Sequence, residues 1–234
     1  MIRFLADIIY LFFFLTLTAP LYPLFNHWNK TGQSHRRSAM AQRMIMNAFH
    51  ICLHFAGVKV IVDGKEKIPP DTAVLYVGNH SSYYDIYAAI LPLLPVSVFL
   101  PKRKCQKFQC LRHWMEFINC LFLDRTNIKE GLKTMNQGTE YLKQGFSMVI
   151  FPEGTRSQDP EPHAFKEGSL RPALKANVPV IPIAISGTAD ILENNRNIQS
   201  NRLPFIFLSA VRFIRISWID FRKSIWARPF AKKL

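Results

Sequence analysis

From residue 57 onward the chain alternates short apolar runs, rich in β-branched residues, with longer stretches of helical periodicity. Several runs are continuously apolar, which is typical of strands buried on both faces of a sheet. They predict strands at residues 59–62, 73–77, 96–100, 118–123, 147–151, 180–185 and 213–218. The alternation therefore predicts an α/β domain with a mostly parallel or mixed sheet flanked by helices.

The segment before this domain is the longest apolar run of the chain. Residues 4–25 carry one charge, Asp7, and exceed the roughly 20 residues that a helix needs to cross a hydrocarbon core. Pro20 and Pro23 are expected to interrupt the helix near its end. The run is followed by a basic collar, which consists of His27, Lys30, His35, Arg36, Arg37 and Arg43. A basic flank of this kind predicts that the rest of the chain lies on the cytoplasmic side of a membrane.

A second N-terminal segment, residues 38–55, has apolar side chains at helical spacing and predicts an amphipathic helix. Such a helix either lies in the membrane interface or docks on the domain. We favour the interface, so residues 1–56 are predicted to form a two-helix membrane anchor. Residues 57–234 are then the membrane-associated α/β domain, with a basic C-terminal tail. A cleaved signal peptide is disfavoured because Arg3 is the only basic residue before the apolar run, whereas a signal peptide begins with a positively charged region.

The charge of the chain favours an anionic partner. It has 30 Lys and Arg against 16 Asp and Glu, a net charge of +14, which suits an anionic membrane surface, a phosphorylated substrate or nucleic acid. Aromatic residues are not interleaved with the basic ones, so we expect no nucleic-acid partner. The four cysteines, Cys52, Cys105, Cys110 and Cys120, form no C-x-x-C pair and are predicted to be reduced.

No metal site is predicted. His50 and His54 have the i, i+4 spacing of a zinc-binding helix, but Ile51 stands where that helix would carry its glutamate. The sequence also lacks the G-x-S-x-G, G-x-x-x-x-G-K-[ST] and G-x-G-x-x-G motifs. These absences lower the probability of a serine hydrolase, a P-loop NTPase or a dinucleotide enzyme.

One candidate catalytic pair follows the strand predicted at residues 73–77. The imidazole of His80 suits proton abstraction from a hydroxyl, and Asp85 could fix its tautomer. Five residues along a regular helix would place the two side chains about 140° apart, so they meet only if the chain turns between them. Ser81 and Ser82 are plausible caps for such a turn.

A second cluster of polar residues follows the strand predicted at residues 147–151. Gly154 allows a tight turn, and Arg156 offers a planar fork that matches phosphate oxygens. Glu153 could hold that guanidinium or a substrate hydroxyl, and a structural turn with an ion pair is the alternative. Arg125, and upstream the cluster Lys102, Arg103, Lys104 and Lys107, could add positive charge for a phosphate, although each taken singly is more often part of a solvated surface.

The order of these motifs resembles that of the glycerolipid acyltransferases, over about residues 58–190. The motifs are N-H-x4-D at 79–85, D-R at 124–125, F-P-E-G-T-R-S at 151–157, A-F-K-E-G at 164–168 and V-P-V-I-P-I-A-I at 178–185. Within that family the chain is most similar to the 1-acylglycerol-3-phosphate acyltransferases, which acylate lysophosphatidate.

The resemblance implies a role for each motif residue. His80 would be the general base and Asp85 its partner. Glu153, Gly154, Thr155 and Arg156 would hold the acyl acceptor, with Arg125 and Lys102 helping on its phosphate. The D-R motif lacks the glycine that commonly precedes it, which affects the identity of the acceptor more than the reaction.

We therefore expect transfer of a fatty acyl group from a thioester, acyl-CoA or acyl carrier protein, to lysophosphatidate, with no cofactor and no metal. The partners would be the lipid acceptor, the thioester donor and the anionic membrane surface. A different lyso-lipid acceptor is the nearest alternative. A non-catalytic peripheral membrane protein is the alternative from another class.

Overall fold

The computed structural model describes residues 2–90, 97–99, 108–124, 126–157, 165–191, 193 and 205–210. The strands in these ranges are β1 (Lys59–Asp63), β2 (Leu75–Gly78), β3 (Ser97–Phe99), β4 (Ser147–Ile150), β5 (Val180–Ser186) and β6 (Phe205–Ala210). They form one sheet in the order β1-β6-β5-β2-β4-β3. Neighbouring strands are parallel except β5 and β6, which are antiparallel. The predicted α/β fold with a mixed sheet is therefore confirmed.

The neighbouring strands β2 and β4 place the two polar motifs at one edge of the sheet. Every residue of both strands is buried, as the apolar runs predicted. The strands are parallel, with Val77 opposite Ile150, so their carboxyl ends lie together. Ligands of open α/β sheets bind at this edge.

Helices cover both faces of the sheet. They are α1 (Ile2–Leu17), α2 (Tyr22–Lys30), α3 (Ser34–Ala56), α4 (Tyr84–Ile90), α5 (Gln109–Phe117), α6 (Ile128–Lys143) and α7 (Arg171–Ala176). Side chains of β2 alternate between two apolar cores: Tyr76 enters one, and Leu75 and Val77 enter the other. The first core includes residues of α2 to α5, and the second includes residues of α6 and α7.

The N-terminal apolar run is helical but interrupted, as its prolines predicted. α1 ends at Leu17, and a 3₁₀ turn at Ala19–Leu21 contains Pro20. α2 then begins with Pro23 in its first turn, where the missing N–H is tolerated. By length and composition, the helical stretch Leu5–Lys30 could cross a membrane, and it is the one such helix among the described residues.

The amphipathic helix predicted at residues 38–55 is α3. Its buried face packs against α1, α2, α4 and α5, so this face docks on the domain. The buried side chains include Arg37, Ser38, Ala41, Ile45, Ala48, Cys52 and Leu53. Met40, Ile51 and Phe55 remain exposed. α3 therefore has apolar side chains both against the domain and on the surface.

The prediction of a strand at residues 118–123 is wrong. Asn119 has a φ of 57°, in the left-handed region, and its N–H bonds back to the Glu116 carbonyl at 3.0 Å. The Cys120 N–H likewise bonds to the Met115 carbonyl at 2.8 Å. These bonds close a turn after α5 and use the donors that a strand would need. Apolar side chains buried in this turn are Ile118, Cys120 and Leu121. Leu123 alone forms an isolated β-bridge, and the run is not one of the strands of the sheet.

One further element differs from the expectations. β6 was not predicted from the sequence, and the strand predicted at residues 213–218 lies outside the described residues. Asn127 caps α6 by accepting the N–H groups of Lys129 and Glu130. In α6, Ile128 in the first turn is 88% exposed, whereas Leu142 near the end of the helix is buried.

Trp114 of α5 joins the N-terminal helices to the domain. Its ring lies 5.1 Å from that of Phe14 and 5.6 Å from that of Phe25, and it is almost fully buried. We expect Trp114→Ala to lower the free energy of unfolding by about 3–5 kcal/mol, because the substitution leaves a large cavity. Thermal and denaturant unfolding in detergent micelles measure this loss. The control Phe108→Ala removes a 70% exposed ring and should cost less than about 0.5 kcal/mol; equal losses would contradict the prediction.

Candidate active site

The turn between β2 and α4 brings His80 and Asp85 together. The chain leaves the sheet after Gly78 and enters α4 at Tyr84. His80 Nδ1 lies 2.8 Å from Asp85 Oδ2. The contact forms because the intervening residues turn rather than continue a helix, as the spacing required.

Asp85 is fully buried and surrounded by donors. Its Oδ2 accepts the backbone N–H groups of Ser81 at 2.7 Å and Ser82 at 2.8 Å, in addition to the imidazole contact. Its Oδ1 accepts the hydroxyl of Thr188, just beyond the end of β5. These bonds compensate for the burial of a carboxylate and hold it in one orientation.

His80 is held by both motifs. Its ring stacks on Phe151 with centroids 4.4 Å apart and planes at 17°. Its backbone N–H donates to Glu153 Oε1 at 3.0 Å, and its carbonyl accepts the N–H of Ser157 at 2.8 Å. With Nδ1 facing the carboxylate of Asp85, Nε2 is the nitrogen left to accept a proton. The imidazole is 16% exposed, so a substrate hydroxyl could reach it.

The side chain of Asn79 extends the hydrogen bonding between β2 and β5 beyond the last backbone pair. Its Nδ2 donates to the Ile185 carbonyl, and its Oδ1 accepts the Ile185 N–H, each at 2.8 Å. The backbone pairing of the two strands ends one residue earlier, where Gly78 faces Ile183. The side-chain amide of Asn79 thus takes the place of a backbone pair where β2 leaves the sheet.

The loop after β4 carries the F-P-E-G-T-R residues. Gly154 has a φ of 76°, and its N–H closes a turn onto the Phe151 carbonyl at 3.0 Å. Glu153 is buried beneath this turn, whereas Thr155 is exposed. The positive φ explains the glycine, because other L-residues rarely adopt it.

Arg156 lies against residues of the H-x4-D turn. Its guanidinium carbon is 3.8 Å from the centroid of the Tyr83 ring, and its Nη1 is 2.8 Å from Glu193 Oε1. The same Glu193 oxygen accepts the Tyr83 backbone N–H at 3.3 Å. The Arg156 side chain is 30% exposed, so the N–H groups of its guanidinium that do not contact Glu193 could meet a phosphate.

The structure brings together six of the eight predicted site residues, namely His80, Asp85, Glu153, Gly154, Thr155 and Arg156. Arg125 and Lys102 lie outside the described residues. Their predicted roles, like those of the other six, stay predictions. In the described part of the chain, no three His, Cys, Asp or Glu side chains lie close enough to share a metal ion.

Two polar residues of the site were not predicted. Thr188 follows the strand predicted at residues 180–185, and its place at a strand's carboxyl end was the available signal. No sequence pattern indicated a role for Glu193, because the residues around it match none of the motifs. Together the residues form a histidine base with an oriented carboxylate beside a partly exposed guanidinium. Such a site can deprotonate a hydroxyl and bind an anionic group next to it.

Comparisons with known proteins show which family the chain resembles. A family profile described as Acyltransferase matches residues 59–186. A probable 1-acyl-sn-glycerol-3-phosphate acyltransferase of Mycoplasma pneumoniae is 32% identical over 181 residues, 72% of this chain and 67% of that protein. A 1-acyl-sn-glycerol-3-phosphate acyltransferase of Chlamydomonas reinhardtii is 30% identical over 190 residues, 81% of this chain and 54% of that protein. The match therefore spans between about half and two thirds of these relatives.

A solved structure has the same fold. The crystal structure of the 1-acyl-sn-glycerophosphate (LPA) acyltransferase PlsC from Thermotoga maritima superposes with a TM-score of 0.60. The superposition covers 95% of this chain and 93% of that one, at 22% identity. It includes the N-terminal helices as well as the sheet, and it supports the α/β architecture.

Proposed function

The chain belongs to the acyltransferase family, and from this premise we propose that it transfers a fatty acyl group from a thioester to lysophosphatidate, giving phosphatidate for phospholipid synthesis. The observation that carries the proposal is the 2.8 Å contact of His80 with the buried Asp85, beside the guanidinium of Arg156. Acylation of lysophosphatidate requires a base that deprotonates its hydroxyl and a cationic group that binds its phosphate.

The proposed reaction needs one base and no covalent enzyme intermediate. His80 Nε2 takes the proton of the free glycerol hydroxyl while the oxygen attacks the thioester carbonyl. The tetrahedral intermediate collapses, the carbon–sulfur bond breaks, and the imidazolium returns the proton to the departing thiolate. Asp85 stabilises the imidazolium between these two steps. The products are the diacyl lipid and a free thiol.

Arg156 is proposed to bind the phosphate of the acceptor. Its fork is already aligned by the Tyr83 ring, which lowers the entropy lost when a phosphate binds. The ion pair with Glu193 leaves other N–H groups of the guanidinium for the ligand. Lys102 and Arg125 are the further candidates for phosphate contact. The donor, acyl-CoA or acyl carrier protein, also carries phosphate.

The N-terminal helices are proposed to hold the site at the membrane, where a single-chain lipid partitions. α1 and α2 expose a set of large apolar side chains, which includes Leu5, Ile8, Ile9, Phe12, Phe13, Leu17 and Leu24. Contiguous apolar surface of this kind marks a membrane or partner contact. The basic collar and the net charge of +14 favour an anionic, cytoplasmic leaflet.

The test is transfer of labelled acyl groups by purified protein in phospholipid vesicles. We expect transfer from acyl-CoA, or from acyl carrier protein, to lysophosphatidate and markedly slower transfer to lysophosphatidylcholine and to monoacylglycerol. Faster transfer to a lyso-lipid with a larger headgroup would identify a different acceptor. No transfer with any donor and acceptor, from protein that still binds vesicles, would favour the non-catalytic alternative.

Arg156→Gln should distinguish a phosphate-binding role from a structural one. We expect kcat/KM for lysophosphatidate to fall about 10- to 100-fold, since a hydrogen bond to a charged group is lost. Transfer to monoacylglycerol, which has no phosphate, should change less than about threefold. Arg112→Gln is the control, because Arg112 is a half-exposed arginine paired with Glu116 on α5. Equal losses on both acceptors would contradict the assignment.

A further inference from the structure

The only charge in the first apolar run is buried against the catalytic turn. Asp7 of α1 is 1% exposed, and its Oδ2 accepts the hydroxyl of Tyr84 at 2.6 Å. Tyr84 is itself 3% exposed. This is a hydrogen bond between the N-terminal helix and the residue that directly precedes Asp85.

Keeping a carboxyl group at this position is costly. A buried polar group must be hydrogen-bonded to offset its lost hydration, and Asp7 Oδ1 has no hydrogen-bond partner in the described part of the chain. Leucine at position 7 together with phenylalanine at position 84 would fill both positions without this cost. The carboxyl group is thus better explained by its hydrogen bond to Tyr84 than by a contribution to the stability of α1.

Tyr84 connects that carboxyl group to the catalytic pair. It is the first residue of α4, and its backbone N–H donates to Ser82 Oγ at 3.1 Å. The Ser82 N–H in turn donates to Asp85 Oδ2. Burial, and then the bond to Asp7, raise the pKa of Tyr84, so its hydroxyl remains a donor throughout the working pH range. One end of Tyr84 is therefore fixed by α1 and the other by the turn that orients Asp85.

We propose that Asp7 is a positioning residue: through Tyr84 it fixes the first turn of α4 and thereby the orientation of Asp85 toward His80. α1 has its exposed apolar side chains on one face, Ile8, Ile9, Phe12 and Phe13 among them, and Asp7 on the buried face. The helix proposed to contact lipid thus also supports the catalytic pair. Only the kinetic part of the test rests on the proposed function.

The first test needs no substrate. Hydrogen–deuterium exchange of the vesicle-bound full chain is followed by mass spectrometry in the peptide that contains Ser81, Ser82 and Asp85. Asp7→Ala should speed exchange in this peptide by about tenfold or more, because the hydroxyl of Tyr84 loses its hydrogen-bond partner. Asp7→Asn keeps an acceptor oxygen and should restore most of the protection. Tyr10→Phe, on the same helix against Phe55, is the matched control and should change nothing.

The second test is kinetic and uses the same preparations. Asp7→Ala and Tyr84→Phe should each lower kcat about tenfold with KM changed less than about twofold, and the double variant should be no worse than either. Tyr87→Phe, three residues further along α4, should retain activity.

Loss of vesicle binding or of folded protein alone, with exchange and kcat of the remaining enzyme unchanged, would overturn the proposal. Equal effects of Asp7→Ala and Asp7→Asn on exchange would also overturn it. A wild type without transfer activity would count against the proposed function and leave the exchange result to decide the role of Asp7.

Discussion

Replacing His80 by alanine is expected to lower kcat for acyl transfer by about 10²–10⁴-fold, the usual contribution of a general base. The hydroxyl of the acceptor would have to lose its proton to water, and the departing thiolate would lack its acid. Because the imidazole is partly exposed and stacks on Phe151, its loss should change the unfolding temperature little. The measurement is initial rate against lysophosphatidate concentration in vesicles, at equal amounts of folded protein.

His50→Ala is the matched control for this substitution. His50 is exposed on α3, and its replacement should leave the rate unchanged. A His80→Ala variant that retains wild-type kcat would contradict the proposed acid–base mechanism. A variant that loses vesicle binding together with activity would show that the substitution acts on the anchor or the fold instead.

Asp85→Asn is expected to lower kcat by about 10²–10⁴-fold, comparable to the loss of a carboxylate partner in other histidine bases. The amide keeps the shape but removes the charge that stabilises the imidazolium. Oδ2 accepts from His80, Ser81 and Ser82, and Oδ1 accepts from Thr188. An amide NH₂ in place of Oδ2 would face these three donors, whereas an NH₂ in place of Oδ1 would require the Thr188 hydroxyl to accept instead of donate. We also expect about 1–3 kcal/mol of lost stability.

The kinetics and the unfolding of this variant are measured together. Asp71→Asn, a change at an exposed carboxylate, should affect neither quantity. The double variant His80→Ala, Asp85→Asn should be about as inactive as His80→Ala alone, since the two residues act as a unit. Multiplicative losses would indicate that Asp85 has a role independent of the histidine.

The local chemistry of the sequence predicted the framework of the site well. The apolar runs that became β2, β4 and β5 are continuous enough to be recognised as buried strands. The motifs directly after β2 and β4 then meet because the two strands are parallel neighbours. The spacing of His80 and Asp85 predicted that they meet only if the chain turns between them, and the turn is present.

Other parts depend on contacts between distant segments, which a single sequence does not reveal. Residues 118–123 have strand-like composition, but the left-handed Asn119 and the bonds that close α5 turn the chain away from the sheet. Glu193 meets Arg156 from 37 residues away. Asp7 and Tyr84 are 77 residues apart, so Asp7 could be read only as an isolated charge in an apolar helix.

The amide of Asn79 allows β2 to end without leaving backbone groups of the neighbouring strand β5 unpaired. A residue in a strand presents its N–H and its carbonyl to the same neighbour, and the end of an asparagine likewise offers an NH₂ donor beside an acceptor oxygen. The Ile185 N–H and carbonyl therefore find both partners even though the main chain of β2 has already turned away. That releases the main chain of His80 to bond to Glu153 and Ser157 instead. Aspartate would lack the donor, and glutamine would overreach by one methylene. Because the Asn79 side chain takes the place of a backbone pair, the main chain of His80 can leave the sheet and bond to the loop after β4.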